Sequence, residues 1–73
     1  GYSLRLAQLN KKADTRSLGV RLGRVCIAKS IPVSDVAEKL GVSRQTVYNW
    51  FSGASEPQGE SVSQVGEYLT ELS

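Results

Sequence analysis

The chain has 73 residues, one cysteine, no histidine and a formal net charge of +2, a size that admits one small domain burying roughly 60% of the surface its unfolded chain exposes. A single thiol without histidine makes neither an internal disulfide nor a transition-metal ligand set, and no run approaches the roughly 18 apolar residues of a membrane span. With no secretory leader pattern, the expectation is a soluble, cytoplasmic protein without metal, membrane contact or cofactor, and Gly1 in place of Met points to a processed or tagged start.

The charge is sorted along the chain. Residues 1–29 carry Arg5, Lys11, Lys12, Arg16, Arg21, Arg24 and Lys29 against only Asp14, residues 30–53 balance, and residues 54–73 hold Glu56, Glu60, Glu67 and Glu71 with no base. Such polarity suits a protein that turns one end toward a polyanion, although separated charge is also common on solvated surfaces.

Leu4, Leu6 and Leu9 fit neither a helical nor a strand period. The conformation of residues 1–13 is therefore left open, and residues 1–14 are set apart as an N-terminal extension or arm. Leu18, Leu22, Val25 and Cys26 then fall on one face of a helix over residues 16–29, with Asp14 or Thr15 placed to cap it. Gly19 and Gly23 weaken this helix by up to ~1 kcal/mol each relative to Ala, so tertiary packing must hold it. Small residues there let another helix approach closely. Cys26 reads as a buried thiol.

Pro32 disfavours the α conformation at Ile31 and tolerates a helix start just after it. Val33, Val36, Ala37 and Leu40 form the apolar face of a helix from Val33 to Leu40, and Gly41 follows where a chain leaving a helix needs a left-handed residue. Ser43 is placed to cap a third helix by accepting from the backbone at Gln45 or Thr46. Val47, Trp50 and Phe51 form its inner face, and it ends near Ser52 and Gly53. Residues 54–59 are a loop by composition. From Glu60 or Ser61, a last helix places Val62, Val65, Leu69 and Leu72 inward, with Tyr68 at the edge. No segment alternates long enough for a strand, so the fold class is all-α, a compact bundle of four helices, or five if the leading segment is also helical.

The most specific stretch runs from Val33 to Gly53, two short helices joined at Gly41, Val42 and Ser43 by a turn of roughly a right angle. Ala37 stands where the axes come closest, Gly41 supplies positive φ, and Val36, Leu40, Val42, Val47 and Trp50 make the seam between them. In these residues, together with Leu18 to Leu22, Tyr48 and Asn49, and Val62, Val65 and Leu69, the chain resembles the phage repressor and Cro type of helix-turn-helix family, also called xenobiotic-response-element-like, over about residues 16–72. The resemblance implies a lambda-repressor-like domain over residues 15–73. It implies a transcription regulator of phage or bacterial origin, a repressor that binds double-stranded DNA as a homodimer on paired half-sites about one helical turn apart.

Some positions depart from the family pattern. Cys26 and Phe51 stand where members often place an Arg–Glu ion pair, so an apolar contact is expected instead. Val33 replaces the usual phosphate-binding Gln, which leaves Ser34 to take that role. The loop after the third helix carries Glu56 rather than bases, which weakens any reading of the minor groove from it.

With Val47, Trp50 and Phe51 inward, the stripe offered to base edges is Arg44, Gln45, Tyr48 and Asn49. The Arg44 fork matches O6 and N7 of guanine, Gln45 matches N6 and N7 of adenine, and Tyr48 suits a thymine methyl or a phosphate. Phosphate contacts need only donors in reach, which names Ser34, Lys39, Ser43, Thr46, Ser52 and Gly53. Arg5, Lys11 and Lys12 either form an arm that follows the DNA backbone or belong to a segment packed on the body. Trp50 is assigned to the core by the helical seam rather than to base stacking. The competing reading is a protein-interaction module, such as an antitoxin-like partner-binding domain, which would show no saturable affinity for duplex DNA. An enzyme is not expected without a histidine, a paired-carboxylate site or a phosphate-binding loop.

Overall fold

In a computed structural model, which describes residues 2–73, the leading segment is helical. Gly1, the first residue of the extension expected over residues 1–14, lies outside the described residues. Ser3 begins helix α1 (Leu4–Lys12) by accepting from the Leu6 backbone N–H at 3.2 Å. Only Leu6 and Asn10 of this helix are buried, one turn apart. Two inward positions, one of them polar, are too few to register as a period.

Asp14 does not cap the next helix. Its carboxylate accepts from the Arg16 backbone N–H at 2.9 Å and pairs with the Arg16 guanidinium at 2.8 Å on the surface, which holds its pKa below the usual carboxylate range. Helix α2 (Leu18–Ala28) therefore starts later than its composition suggests, with Ser17 at the cap position making no side-chain cap bond. The Ser17 hydroxyl is buried and has no partner among the described residues.

Gly19 and Gly23 explain how α2 packs. A Cβ at Gly19 would lie 2.7 Å from Trp50 Cβ and 3.0 Å from the Trp50 carbonyl oxygen, and one at Gly23 would lie 2.9 Å from Phe51 Cγ. The helix of Trp50 and Phe51 therefore sits directly on α2. After α2, Ser30 adopts a left-handed φ of 57° and Pro32 starts α3 (Val33–Leu40). Gly41 ends α3 with φ 68°, and Ser43 caps α4 (Arg44–Ser52), its hydroxyl accepting from the Thr46 backbone N–H at 3.2 Å. Gly53 closes α4 in the left-handed region. After the loop, α5 (Glu60–Leu72) packs on α2 and α3. The described residues thus form five helices and no strand.

One core joins them: Leu6 from α1, Leu22 and Cys26 from α2, Val36 and Leu40 from α3, Val47, Trp50 and Phe51 from α4, and Val65 from α5. Cys26 and Phe51 are both fully buried in it, with no charge at either position. Val62 is 41% exposed and does not belong to the core. Val65 is the buried residue of α5, and Tyr68, Leu69 and Leu72 pack against the core beside it.

Candidate nucleic-acid interface

Three fixed points hold α4. Its N-terminus is tied by the Ser43–Thr46 pair, whose hydroxyls also lie 2.9 Å apart. Its inner face is seated by Val47, Trp50 and Phe51, all buried. Its C-terminal end leaves carbonyls without helical partners, and these are taken up locally: the Asn49 carbonyl accepts from the Ser55 backbone N–H at 3.2 Å and from the Ser52 hydroxyl at 3.3 Å. The Phe51 carbonyl accepts from the Asn10 side-chain amide at 2.7 Å. The same amide group reaches the Val20 carbonyl at 3.1 Å, so α1, α2 and α4 are joined at one buried nitrogen.

Arg44, Gln45 and Tyr48 are exposed and Asn49 is half-buried. Gln45 and Asn49, one turn apart, are linked by a hydrogen bond from Gln45 Nε2 to Asn49 Oδ1 at 3.0 Å. That bond leaves Gln45 Oε1, the second Gln45 N–H and the Asn49 amide nitrogen without a partner among the described residues, a donor and acceptor set of the kind that reads base edges. Arg44 and Tyr48 lie on the other flank of α4, where they line a groove of about 380 Å³ with Ser34 at the start of α3, Ser3 at the start of α1, and Ser30. The N-terminal ends of α1 and α3 thus open on the same groove as Arg44.

The remaining candidates are spread around this surface. Ser43, Thr46, Ser52 and Gly53 bracket the two ends of α4. Lys39 is held by α5 rather than by α4: its ammonium lies 3.4 Å from Glu71 Oε2 and 5.9 Å from the centre of the Tyr68 ring. Arg5, Lys11 and Lys12 are exposed on α1. This helix runs beside α4 in the same sense, since Leu6 shares the groove with Arg44 and Tyr48, Asn10 reaches Phe51, and Ala13 Cβ would lie 3.1 Å from a Cβ placed on Gly53.

Sequence reasoning missed Ser3, Ser30 and Tyr2. Ser3 carried a usable signal, a capping residue ahead of a leucine-rich segment. Tyr2 carried none, because its hydroxyl donates to the Ile31 carbonyl and its ring, 6.1 Å from that of Phe51, packs far from it in sequence. Burial raises the Tyr2 phenol well above its ordinary pKa, so the hydroxyl remains a donor.

Residues 22–70 match a protein-family model described as Helix-turn-helix. No curated protein and no solved structure matches the chain.

Proposed function

Since the chain belongs to the helix-turn-helix family, of the phage-repressor and Cro type, we propose that it is a sequence-specific regulator of transcription, a repressor that inserts α4 into the major groove of duplex DNA. The observation that carries this is the construction of α4: anchored at both ends, sealed on one face, and offering Arg44, Gln45, Tyr48 and Asn49 on the other. Arg44 and the Gln45–Asn49 pair read bases, Arg44 by its fork on guanine and Gln45 on adenine. Ser34, Ser43, Thr46, Ser52 and the Gly53 backbone position the helix on phosphates. Two copies bind paired half-sites as a homodimer, in the bacterial cytoplasm or nucleoid where such targets lie.

Arg5 and Lys12, on the helix that runs beside α4, extend the interface along the backbone. The probe for them is charge removal, because deleting α1 would take Leu6 and Asn10 out of the core. Arg5→Ala with Lys12→Ala should lower the slope of log affinity against log salt by about 0.9 for each phosphate that is no longer neutralised.

Selection of bound sites from a random duplex pool tests the whole reading. The expected result is a motif of paired half-sites about 10 bp apart, and Arg44→Ala should cost about 1–3 kcal/mol and relax specificity at one base position. A pool that never enriches, together with no saturable mobility shift at low salt, would instead make the fold a protein-binding module.

A further inference from the structure

Most of the positive charge does not lie on the recognition face. Of the nine bases in the chain, α4 carries Arg44 alone, and Lys39 is engaged with Glu71. Residues 4–28 contain a single acid, Asp14, which is taken up by Arg16. Arg21, Arg24 and Lys11 therefore have no acidic neighbour along α1 or α2.

The position of two of these bases follows from the helix packing. Gly19 and Gly23 face Trp50 and Phe51, so they mark the side of α2 that touches α4. At about 100° per residue, Arg21, two residues from each glycine, points about 160° to 200° away from that side, and Arg24 is about 100° to 140° away. Both are exposed. Both are also held in place: Arg21 Nε donates to the Thr15 carbonyl at 2.7 Å and Arg24 Nη2 to the Lys11 carbonyl at 2.8 Å. Lys11 and Arg24 rim a groove of about 330 Å³ between α1 and α2. The outer faces of α2 and α4 are separated by two helix diameters, about 20 Å, against a Debye length of about 10 Å at 0.1 M salt. A duplex held by α4 is therefore screened from Arg21, while Arg24 lies on the flank of α2 turned toward the Lys11 end of α1. Like charge without an ion pair among the described residues disfavours the compact state of so small a domain, and guanidiniums fixed by backbone bonds with N–H groups to spare are suited to phosphate oxygens.

We propose that the outer face of α2, with Arg21, Arg24 and Lys11, binds the phosphate backbone of a second DNA duplex, so that one copy holds two segments on opposite sides of the domain. This rests on the DNA-binding reading of α4. The test uses the full chain at about 0.1 M salt, a bead-tethered duplex carrying the selected site, and a free fluorescent duplex of unrelated sequence. Wild-type protein should retain the free duplex on the bead. Arg21→Glu with Arg24→Glu should lower that retention about tenfold or more, two phosphate contacts being worth about 0.9 log unit each per decade of salt. Affinity for the tethered site should stay within about twofold, because Arg21 lies beyond a screening length from α4 and Arg24 is turned away from α4 toward the Lys11 end of α1. The neutral pair Arg21→Gln with Arg24→Gln should give a smaller loss in the same direction, and thermal melting reports whether each variant is folded.

Equal retention by the variants overturns the proposal, as does loss of both activities together, which would put these arginines on the first duplex. Retention that survives in them but vanishes with Glu60→Lys and Glu67→Lys overturns it too, since copies would then be docking through α5. Binding of the tethered duplex with no retention by wild type sinks this inference alone, whereas no binding of the tethered duplex removes the reading of α4 beneath it.

Discussion

The side-chain amide of Asn10 donates to the carbonyl of Phe51, 41 residues away, at 2.7 Å, and closes the last turn of α4 from outside it. Asn10→Ala would leave that buried carbonyl unpaired and release the Val20 carbonyl as well. The expected cost is about 2–3 kcal/mol of folding stability, read as a lower midpoint in urea with an unchanged slope. A midpoint equal to wild type would show that α1 is not a clamp on α4.

Glycine-to-alanine changes should have opposite signs at two positions. A methyl at Gly19 meets the Trp50 backbone and Cβ within 3.1 Å, where nothing can yield without separating α2 from α4. Overpacking of about 1–3 kcal/mol outweighs the gain of up to ~1 kcal/mol in helix propensity, so the melting temperature should fall. At Gly66 in α5 a methyl meets nothing within 4 Å, so Gly66→Ala should raise it by the propensity gain alone.

Gln45 and Asn49 should act as one reading unit. Gln45→Ala and Asn49→Ala are each expected to cost about 1–3 kcal/mol in binding to the selected site. Because each removal also frees the other side chain from its 3.0 Å hydrogen bond, the double variant should fall short of the summed losses by about 0.5 kcal/mol or more. Strict additivity in a four-way titration would show that the two amides act independently.

Cys26 gives a pH signature. Burial pushes its thiol up to about 11 from an ordinary value of 9.0. Between these values the unfolded chain has released the proton that the native chain keeps, so stability should be level up to about pH 9 and decline above it. Cys26→Val should flatten this decline up to about pH 10, where Tyr2 and Tyr68, also raised by burial, begin to act in the same direction. Native protein at pH 8 should not react with an aromatic disulfide reagent. Rapid labelling there would show that the thiol is not buried.

The central part of the fold was legible because its chemistry is local. Gly41 with positive φ, Ser43 as a cap on Thr46, and the Val47, Trp50 and Phe51 face all follow from neighbours within a few residues, and the two glycines of α2 signal a close helix without specifying its partner. The outward stripe of α4 follows from the same periodicity. What escaped depends on which partner a polar side chain takes. α1 has an asparagine in its core position, satisfied only by carbonyls of α2 and α4. Asp14 is drawn to Arg16 instead of capping α2, and Lys39 to Glu71 on α5. In each case a polar side chain chooses between partners, and hydrophobic spacing holds no record of that choice.

The Ser43 cap and the left-handed Gly53 confine α4 to nine residues, a length of about 13.5 Å. At about 3.4 Å of rise per base pair, that spans about four base pairs. A four-letter word recurs about once in 256 positions by chance, so among the roughly 10⁶ competing positions of a small genome one helix faces thousands of equivalent sites. Two copies reading eight positions together reduce these to tens. On the proposed reading, the fixed length of α4 thus bounds the base information one copy extracts, which favours an operator shared between copies.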